Sequence, residues 1–236
     1  AQGCTATASS PIVVDAAPNI TLSSIAPLCT NSSAITLTNG SPAGGIYSGT
    51  GVTGNTFTPT NAGTTTLTYS VTAANGCSSS AQTSIVVNSI PVVTLSNFAS
   101  VCVNGSPISL SGGQPNGGVY SGTGVSGGVF NPASGSGLHA ITYTYTNANS
   151  CSNSTTANII VNPAPTVNLG GDSLVCGEAI VVLNAGTGFT TVQWSTGSSA
   201  SSITVDSSGV GFGTKSIIVT VTNSAGCLGR DTIQIT

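Results

Sequence analysis

The chain has 236 residues, of which only 3% are charged: two basic and five acidic side chains, with a formal charge of −3 at pH 7. An ordinary soluble domain carries about 25% charged residues, so Ser, Thr, Asn and Gly must take over the surface here. Lys215 and Arg230 are the only cations, too few to neutralise phosphates, which excludes nucleic acid as a partner, and no apolar run reaches the roughly 20 residues of a membrane span.

The opening AQGC has neither the basic start nor the apolar stretch of a secretory leader, and reads as the start of a mature or excised product. Residues 3–18, GCTATASSPIVVDAAP, align without a gap on residues 76–91, GCSSSAQTSIVVNSIP. Residues 1–15 are therefore read as the trailing strand of a preceding module, the alternative being a free strand that completes another molecule.

Residues 16–88 form the first expected module. Short runs such as NITL, AITLT, GGIYSG, TFTP, LTYSVT and TSIVVN are separated by Gly, Asn, Pro and Ser, and Leu67, Tyr69 and Val71 alternate with polar residues. Period-two alternation puts one face of a strand on a core and the other in water. Within this module GTGVTG (49–54) has the G-x-G-x-x-G spacing of a dinucleotide turn. That turn needs a helix to follow it, whereas the next residues, NTFTPTNAGTTTLTYSVT, are hostile to one. The glycines are read as a bend between strands.

Residues 89–162 repeat the pattern. Ile141, Tyr143 and Tyr145 alternate in ITYTYT, and GTGVSG (122–127) returns seventy-three residues after its first copy. Residues 163–236 form a variant module, with Ile217, Val219 and Val221 alternating and with VQWSTG (192–197) where YSGTGV is expected. Its Trp194, the chain's single Trp, is read as a core anchor. Pro18, Pro91 and Pro165 mark the joints and favour extended backbone before them. Six or seven short strands per repeat, with no helical periodicity, predict an all-β fold: a tandem array of three small β-sandwich modules with short Pro-containing linkers, which the resemblance given below makes immunoglobulin-like.

Six of the seven cysteines fall on two interleaved ladders. Cys29, Cys102 and Cys176 step by 73 and 74, while Cys77, Cys151 and Cys227 step by 74 and 76, each ending a similar turn: AANGC, NANSC and NSAGC. No C-x-x-C occurs and there is one His, so a zinc site is not indicated. Disulfides in an oxidising compartment are. Modules of this size bury too little surface for comfortable stability, and the intra-module spacings of 48, 49 and 51 lead to the pairs Cys29–Cys77, Cys102–Cys151 and Cys176–Cys227, other pairings having to cross module boundaries. Cys4 is left unpaired or intermolecular.

The ionisable residues Asp15, Asp172, Glu178, Asp206, Asp231 and His139 are scattered along the chain, and no two fall at a spacing that argues for a site. Acid–base or nucleophilic catalysis needs such groups paired, and calcium needs clustered carboxylates. The chain is therefore read as a non-enzyme with no catalytic, cofactor or metal site, and His139 as a strand-edge residue. Low charge weakens repulsion between copies and favours association. A second class, a carbohydrate-binding or spacer array of a larger secreted protein, would use Tyr47, Tyr120 and Trp194 as exposed stacking rings.

The sequence YSGTGV…F-x-P…G…TYTYT-x-A-N-x-C, followed by an apolar strand and a Pro linker, resembles the immunoglobulin-like (PKD-like) repeats of very long surface proteins in Bacteroidota. The third module, with LGGDSLVCGEAIVVLNAGTG, QWSTG, SSITV and NSAGC, is similar to a sister type found near the C-terminal ends of such proteins. The resemblance covers essentially the whole chain. It implies export by type IX secretion, an extracellular position at the cell surface, service as a filament, adhesin or stalk, and contacts with copies of itself or further repeats, with surface glycans as a second kind of partner. It also implies O-glycosylation at Ser173 and Thr232, through Asp172-Ser173-Leu174 and Asp231-Thr232-Ile233.

Overall fold

A computed structural model describes residues 2–174, 180–206 and 213–236. Residues 2–20 lie outside any strand. The first repeat then builds β1 (Thr21–Leu22), β2 (Leu28–Cys29), β3 (Ile35–Thr36), β4 (Gly40–Ser41), β5 (Ile46–Ser48), β6 (Val52–Thr53), β7 (Thr56–Phe57), β8 (Gly63–Thr72) and β9 (Ser78–Asn88). These form sheets ordered β2-β9-β8-β5, β3-β7-β6 and β1-β4. The long antiparallel hairpin β8–β9 is the spine, while β2 joins its outer edge in parallel, with Leu28 opposite Val87 and Cys29 opposite Asn88.

The second repeat reproduces this arrangement with β10 (Thr94–Leu95), β11 (Val101–Cys102), β12 (Ile108–Ser109), β13 (Gly113–Gln114), β14 (Val119–Ser121), β15 (Val125–Ser126), β16 (Val129–Phe130), β17 (Gly137–Thr146) and β18 (Ser152–Asn162). Its sheets run β11-β18-β17-β14, β12-β16-β15 and β10-β13, and Cys102 of β11 lies opposite Asn162 of β18. The third repeat is reduced to β19 (Ile180–Asn184), β20 (Thr191–Trp194), β21 (Ser202–Asp206), β22 (Lys215–Thr222) and β23 (Leu228–Ile235), in sheets β19-β21 and β20-β22-β23. Among the described residues helix is confined to one 3₁₀ turn, Pro132–Ser134.

Each repeat has its own core. In the first, Leu37, Tyr47, Phe57, Leu67, Tyr69, Ile85 and Val87 pack together; in the second, Leu110, Phe130, Ile141, Ile159 and Val161; in the third, Leu183, Trp194, Val205, Ile217, Val219, Val221, Ile233 and Ile235. The alternating residues of the sequence supply these cores, because successive side chains of a strand face opposite ways. Trp194 is buried, and its indole N–H donates to the Ala200 carbonyl at 2.8 Å. The chain divides into two compact units: residues 1–92 with 146–153, and residues 93–145 with 154–236. The turn joining β17 to β18 therefore groups with the first repeat.

Two tyrosines organise each of the first two sandwiches. Tyr47 and Tyr69 stack with centroids 4.5 Å apart, and Tyr120 and Tyr143 with centroids 4.7 Å apart. The Tyr69 hydroxyl accepts from Gly45 N–H at 2.8 Å and donates to the Pro42 carbonyl at 2.6 Å; Tyr143 does the same with Gly118 at 2.7 Å and Pro115 at 2.6 Å. The glycine of the shared GG(I/V)YSG string follows from this contact, since a Cβ at Gly118 would lie 2.5 Å from the Tyr143 ring.

Replacing Ile159, fully buried on β18, with Ala is expected to destabilise the second repeat by about 2–5 kcal/mol. Val119→Ala, at a position 69% exposed, is expected to stay within about 0.5 kcal/mol. Urea titration followed by hydrogen exchange in β17 and β18 measures both.

Candidate functional site

The hairpin turn between β17 and β18 is held by one side chain. Asn147 Oδ1 accepts from the backbone N–H of Asn149 and of Cys151, both at 3.0 Å, closing a turn around Asn147–Cys151. Its Nδ2 remains free to reach outward, and it donates to the Ser89 carbonyl at 3.2 Å, on the linker leaving β9. The turn thus delivers Cys151 to the end of β9, where its sulfur lies 4.0 Å from the Asn88 carbonyl oxygen. Cys29 is opposite Asn88 on β2, and the two sulfurs are bonded, with the Cα atoms 5.6 Å apart. Asn31, two residues after Cys29, donates to the Ser152 carbonyl at 3.1 Å.

The same device recurs between the second and third repeats. Asn223 Oδ1 accepts from Ala225 and Cys227 N–H at 3.0 and 2.9 Å, and its Nδ2 donates to the Pro163 carbonyl at 2.9 Å. Cys227 is bonded to Cys102, with Cα atoms 5.5 Å apart, its sulfur 3.9 Å from the Asn162 carbonyl oxygen. Asn104, two residues after Cys102, donates to the Leu228 carbonyl at 2.8 Å. Each bond lies within one compact unit. It ties the Cys-bearing strand of one repeat to the hairpin turn of the next.

The intra-repeat pairs expected from spacing are therefore corrected. Cys29 sits opposite Asn88, the last residue of β9, whereas Cys77 directly precedes Ser78, its first. An extended strand of that length spans about 35 Å at 3.4 Å per residue, while a disulfide requires Cα atoms within about 7 Å. Cys29–Cys77 is thus impossible in this fold, and Cys102–Cys151 fails identically across β18. Cys176–Cys227 is excluded because Cys227 is taken by Cys102; Cys176, like Glu178, lies outside the described residues. Cys4 and Cys77 are free, Cys4 exposed and Cys77 half-buried.

The remaining candidates resolve into structural roles. Gly49, Gly51 and Gly54 occupy the bend from β5 to the β6–β7 hairpin, so that strands flank the G-x-G-x-x-G spacing. Gly49, at φ 149°, would place a Cβ 2.5 Å from the Thr66 carbonyl, and Gly122, at φ 145°, one at 2.5 Å from that of Ala140. His139 is half-buried on β17, its ring edge against Phe130 and its Nε2 2.8 Å from the Gly135 carbonyl. Asp172 accepts from Gln234 N–H at 2.8 Å and Asp231 from Leu169 N–H at 2.6 Å, so both fasten the start of the third repeat to β23. Tyr47 and Trp194 are buried, and Tyr120 is half-buried with its hydroxyl accepting from Gly113 N–H at 2.9 Å. These rings are core and are not presented for stacking on a sugar. Ser173 is half-buried and Thr232 exposed.

Fold and joint together define a tandem array of immunoglobulin-like β-sandwiches. No family model matches the sequence, and no curated protein does. Among solved structures, a Ca2+-stabilized adhesin of an Antarctic bacterium that binds ice is similar at 13% identity and a TM-score of 0.35, over 94% of this chain and 74% of that one. A surface glycan-binding protein, SGBP-B of the Bacteroides ovatus mixed-linkage glucan utilization locus, is similar at 15% identity and 0.23, over 96% and 69%. The insect immune protein hemolin is similar at 10% identity and 0.29, over 90% and 75%.

Cys151→Ser is expected to expose Cys29 to alkylation without changing the reactivity of Cys77, as peptide mapping of unreduced protein would read; pairing within a repeat would instead leave Cys29 protected and free Cys102. Asn147→Ala, which removes both the turn's acceptor and its outward donor, is expected to cost about 1–3 kcal/mol. Its measure is faster reduction of Cys29–Cys151 by dithiothreitol.

Proposed function

We propose that this chain is a stretch of an extracellular structural protein, a disulfide-stapled β-sandwich rod that forms or extends a bacterial cell-surface filament or adhesin stalk. The observation that carries this reading is the position of the two disulfides. Both close the joint between consecutive repeats, Cys29–Cys151 and Cys102–Cys227. A binding protein needs stable modules, whereas a load-bearing or spacing element needs its joints fixed. Each bond closes a loop of 122 or 125 residues, worth about 5 kcal/mol in the chain-entropy model, and each is flanked by Asn side chains gripping linker carbonyls. Disulfides persist in oxidising compartments, which agrees with a surface location, and the described residues contain no helix long and apolar enough to cross a membrane.

The module boundaries 16–88, 89–162 and 163–236, the Bacteroidota family, type IX export and O-glycosylation belong to the same proposal. Of the two acceptor sites, Thr232 is the better placed, being exposed on β23. Partners in this reading are copies of the chain or further repeats of it. The protein is proposed to act without catalysis.

Immunogold labelling of intact cells with an antibody against the chain is expected to decorate surface fibres, and material shaved from those cells to carry both inter-repeat disulfides. Recovery of the antigen from the cytosol with Cys29 and Cys102 reduced would overturn the proposal. Retention of the monomeric, oxidised chain on a glycan array would turn it toward the carbohydrate-binding class.

A further inference from the structure

The hairpin turn of the first repeat has the backbone pattern of the two that are stapled, Ala73 N–H donating to the Cys77 carbonyl at 2.9 Å as Asn147 does to Cys151 at 3.0 Å and Asn223 to Cys227 at 3.1 Å, while its Asn stands two residues before the cysteine rather than four. Asn75 Oδ1 accepts from Cys77 N–H at 3.1 Å, and its Nδ2 reaches the Ala16 carbonyl at 3.5 Å; the Cys77 thiol lies 3.7 Å from the Asp15 carbonyl. In the repeat alignment Ala16 stands where Ser89 and Pro163 stand, and Asp15 where Asn88 and Asn162 stand. Each of the three turns thus sends an Asn amide to the linker before it, from different positions in the turn, and two of the three hold a cysteine from the preceding repeat. At the third, Cys77 is a free thiol.

A second observation lies beside it. Ile12 and Val14 occupy the positions of Ile85 and Val87 and of Ile159 and Val161 in the alignment. Those four residues are at most 3% exposed, whereas Ile12 is 90% and Val14 88% exposed. Val13, matching the outward-facing Val86 and Ile160, is 79% exposed. Residues 5–15 are thus patterned to be the last strand of a sandwich, with an inward face that no core covers among the described residues. In the two complete joints the Cys-bearing strand pairs in parallel with that last strand, and the residue after the cysteine donates to the same carbonyl: Thr30 N–H to Asn88 at 3.0 Å, Val103 N–H to Asn162 at 2.9 Å.

We infer that Cys77 and residues 5–15 form the open half of a further staple, which takes the body of another immunoglobulin-like module of the same repeat type, bearing a Cys-x-Asn strand. The inference rests on the proposed reading of the joint as the array's repeating device. The incoming strand lies parallel to Val14–Asp15 under the inward faces of Ile12 and Val14, its cysteine bonds Cys77, and its Asn donates to the Ser78 carbonyl, as Asn31 and Asn104 do to Ser152 and Leu228. Oxidation consumes one equivalent of a small-molecule disulfide. The Cys77 thiolate displaces one small thiolate to give a mixed disulfide, the incoming cysteine thiolate attacks Cys77 Sγ and releases the second, and the two protons from the protein thiols leave on the small thiols.

The test extends the full chain by a duplicate of residues 89–150 placed ahead of position 4, with Cys4→Ser, so that residues 5–15 complete the added module. In the unextended chain Cys77 is expected to be fully alkylated by a maleimide. In the extended chain its labelling is expected to fall at least tenfold, and peptide mapping is expected to find it bonded to a Cys102-bearing peptide, which cannot be confused with Cys29. Amides 12–15 should gain hydrogen-exchange protection. If they do not, the same measurement is made with residues 16–76 duplicated instead, and failure of both to protect the strand overturns the inference. Cys77 still reactive in a protected, folded extension, with Cys29–Cys151 and Cys102–Cys227 intact, also overturns it while leaving the stapled-array reading standing. Absence of Cys29–Cys151 from the unextended chain would remove that reading and this inference together.

Discussion

The length of the last strand in each of the first two repeats decides where the disulfides can close. β9 and β18 each run for eleven residues, with one cysteine held opposite the far end and the other just before the near end. The two cysteines of each of these repeats are therefore kept apart by a rigid hydrogen-bonded spacer, and Cys29, Cys102 and Cys151 are each bonded to a neighbouring repeat. At that length, several times the reach of a disulfide, the sandwich directs the bonds outward.

The near-absence of charge is consistent with how the joints are made. Their polar contacts run from Asn amides to backbone carbonyls, through Asn31, Asn104, Asn147 and Asn223. Such contacts are nearly indifferent to salt, unlike exposed ion pairs, which are screened within about a nanometre at physiological ionic strength. The repeats themselves are lightly built: the second buries only Leu110, Phe130, Ile141, Ile159 and Val161 as its central cluster. A core of that size gives modest stability, and covalent closure of a joint adds an amount comparable with it.

Much of the fold was legible in the sequence because its signals are local. Period-two alternation at Leu67, Tyr69, Ile141, Tyr143, Ile217 and Val219 became buried strand faces, and the missing helix after GTGVTG marked its glycines as a bend. The disulfide partners were not legible from spacing, because separation along the chain does not measure the distance across an eleven-residue strand. The signal that could have found them was present in other letters: an Asn two residues after Cys29 and Cys102, and another four residues before Cys151 and Cys227. These sit at a sandwich end and grip the adjoining repeat, which a cysteine buried inside one sandwich would not require. An aromatic ring serves either a core or sugar stacking: for Tyr47 and Tyr120 the hydroxyl bonds to Gly40 and Gly113 decide in favour of packing, and Trp194, read as a core anchor, is buried with its indole N–H on the Ala200 carbonyl.

The two bridges overlap along the chain, since Cys102 falls between Cys29 and Cys151, and Cys151 between Cys102 and Cys227. Any single backbone scission between Cys29 and Cys227 consequently leaves its two fragments joined by at least one bridge. A protease acting on an exposed loop of such a chain nicks it without severing it, and the continuity of the molecule no longer depends on any one peptide bond in that stretch.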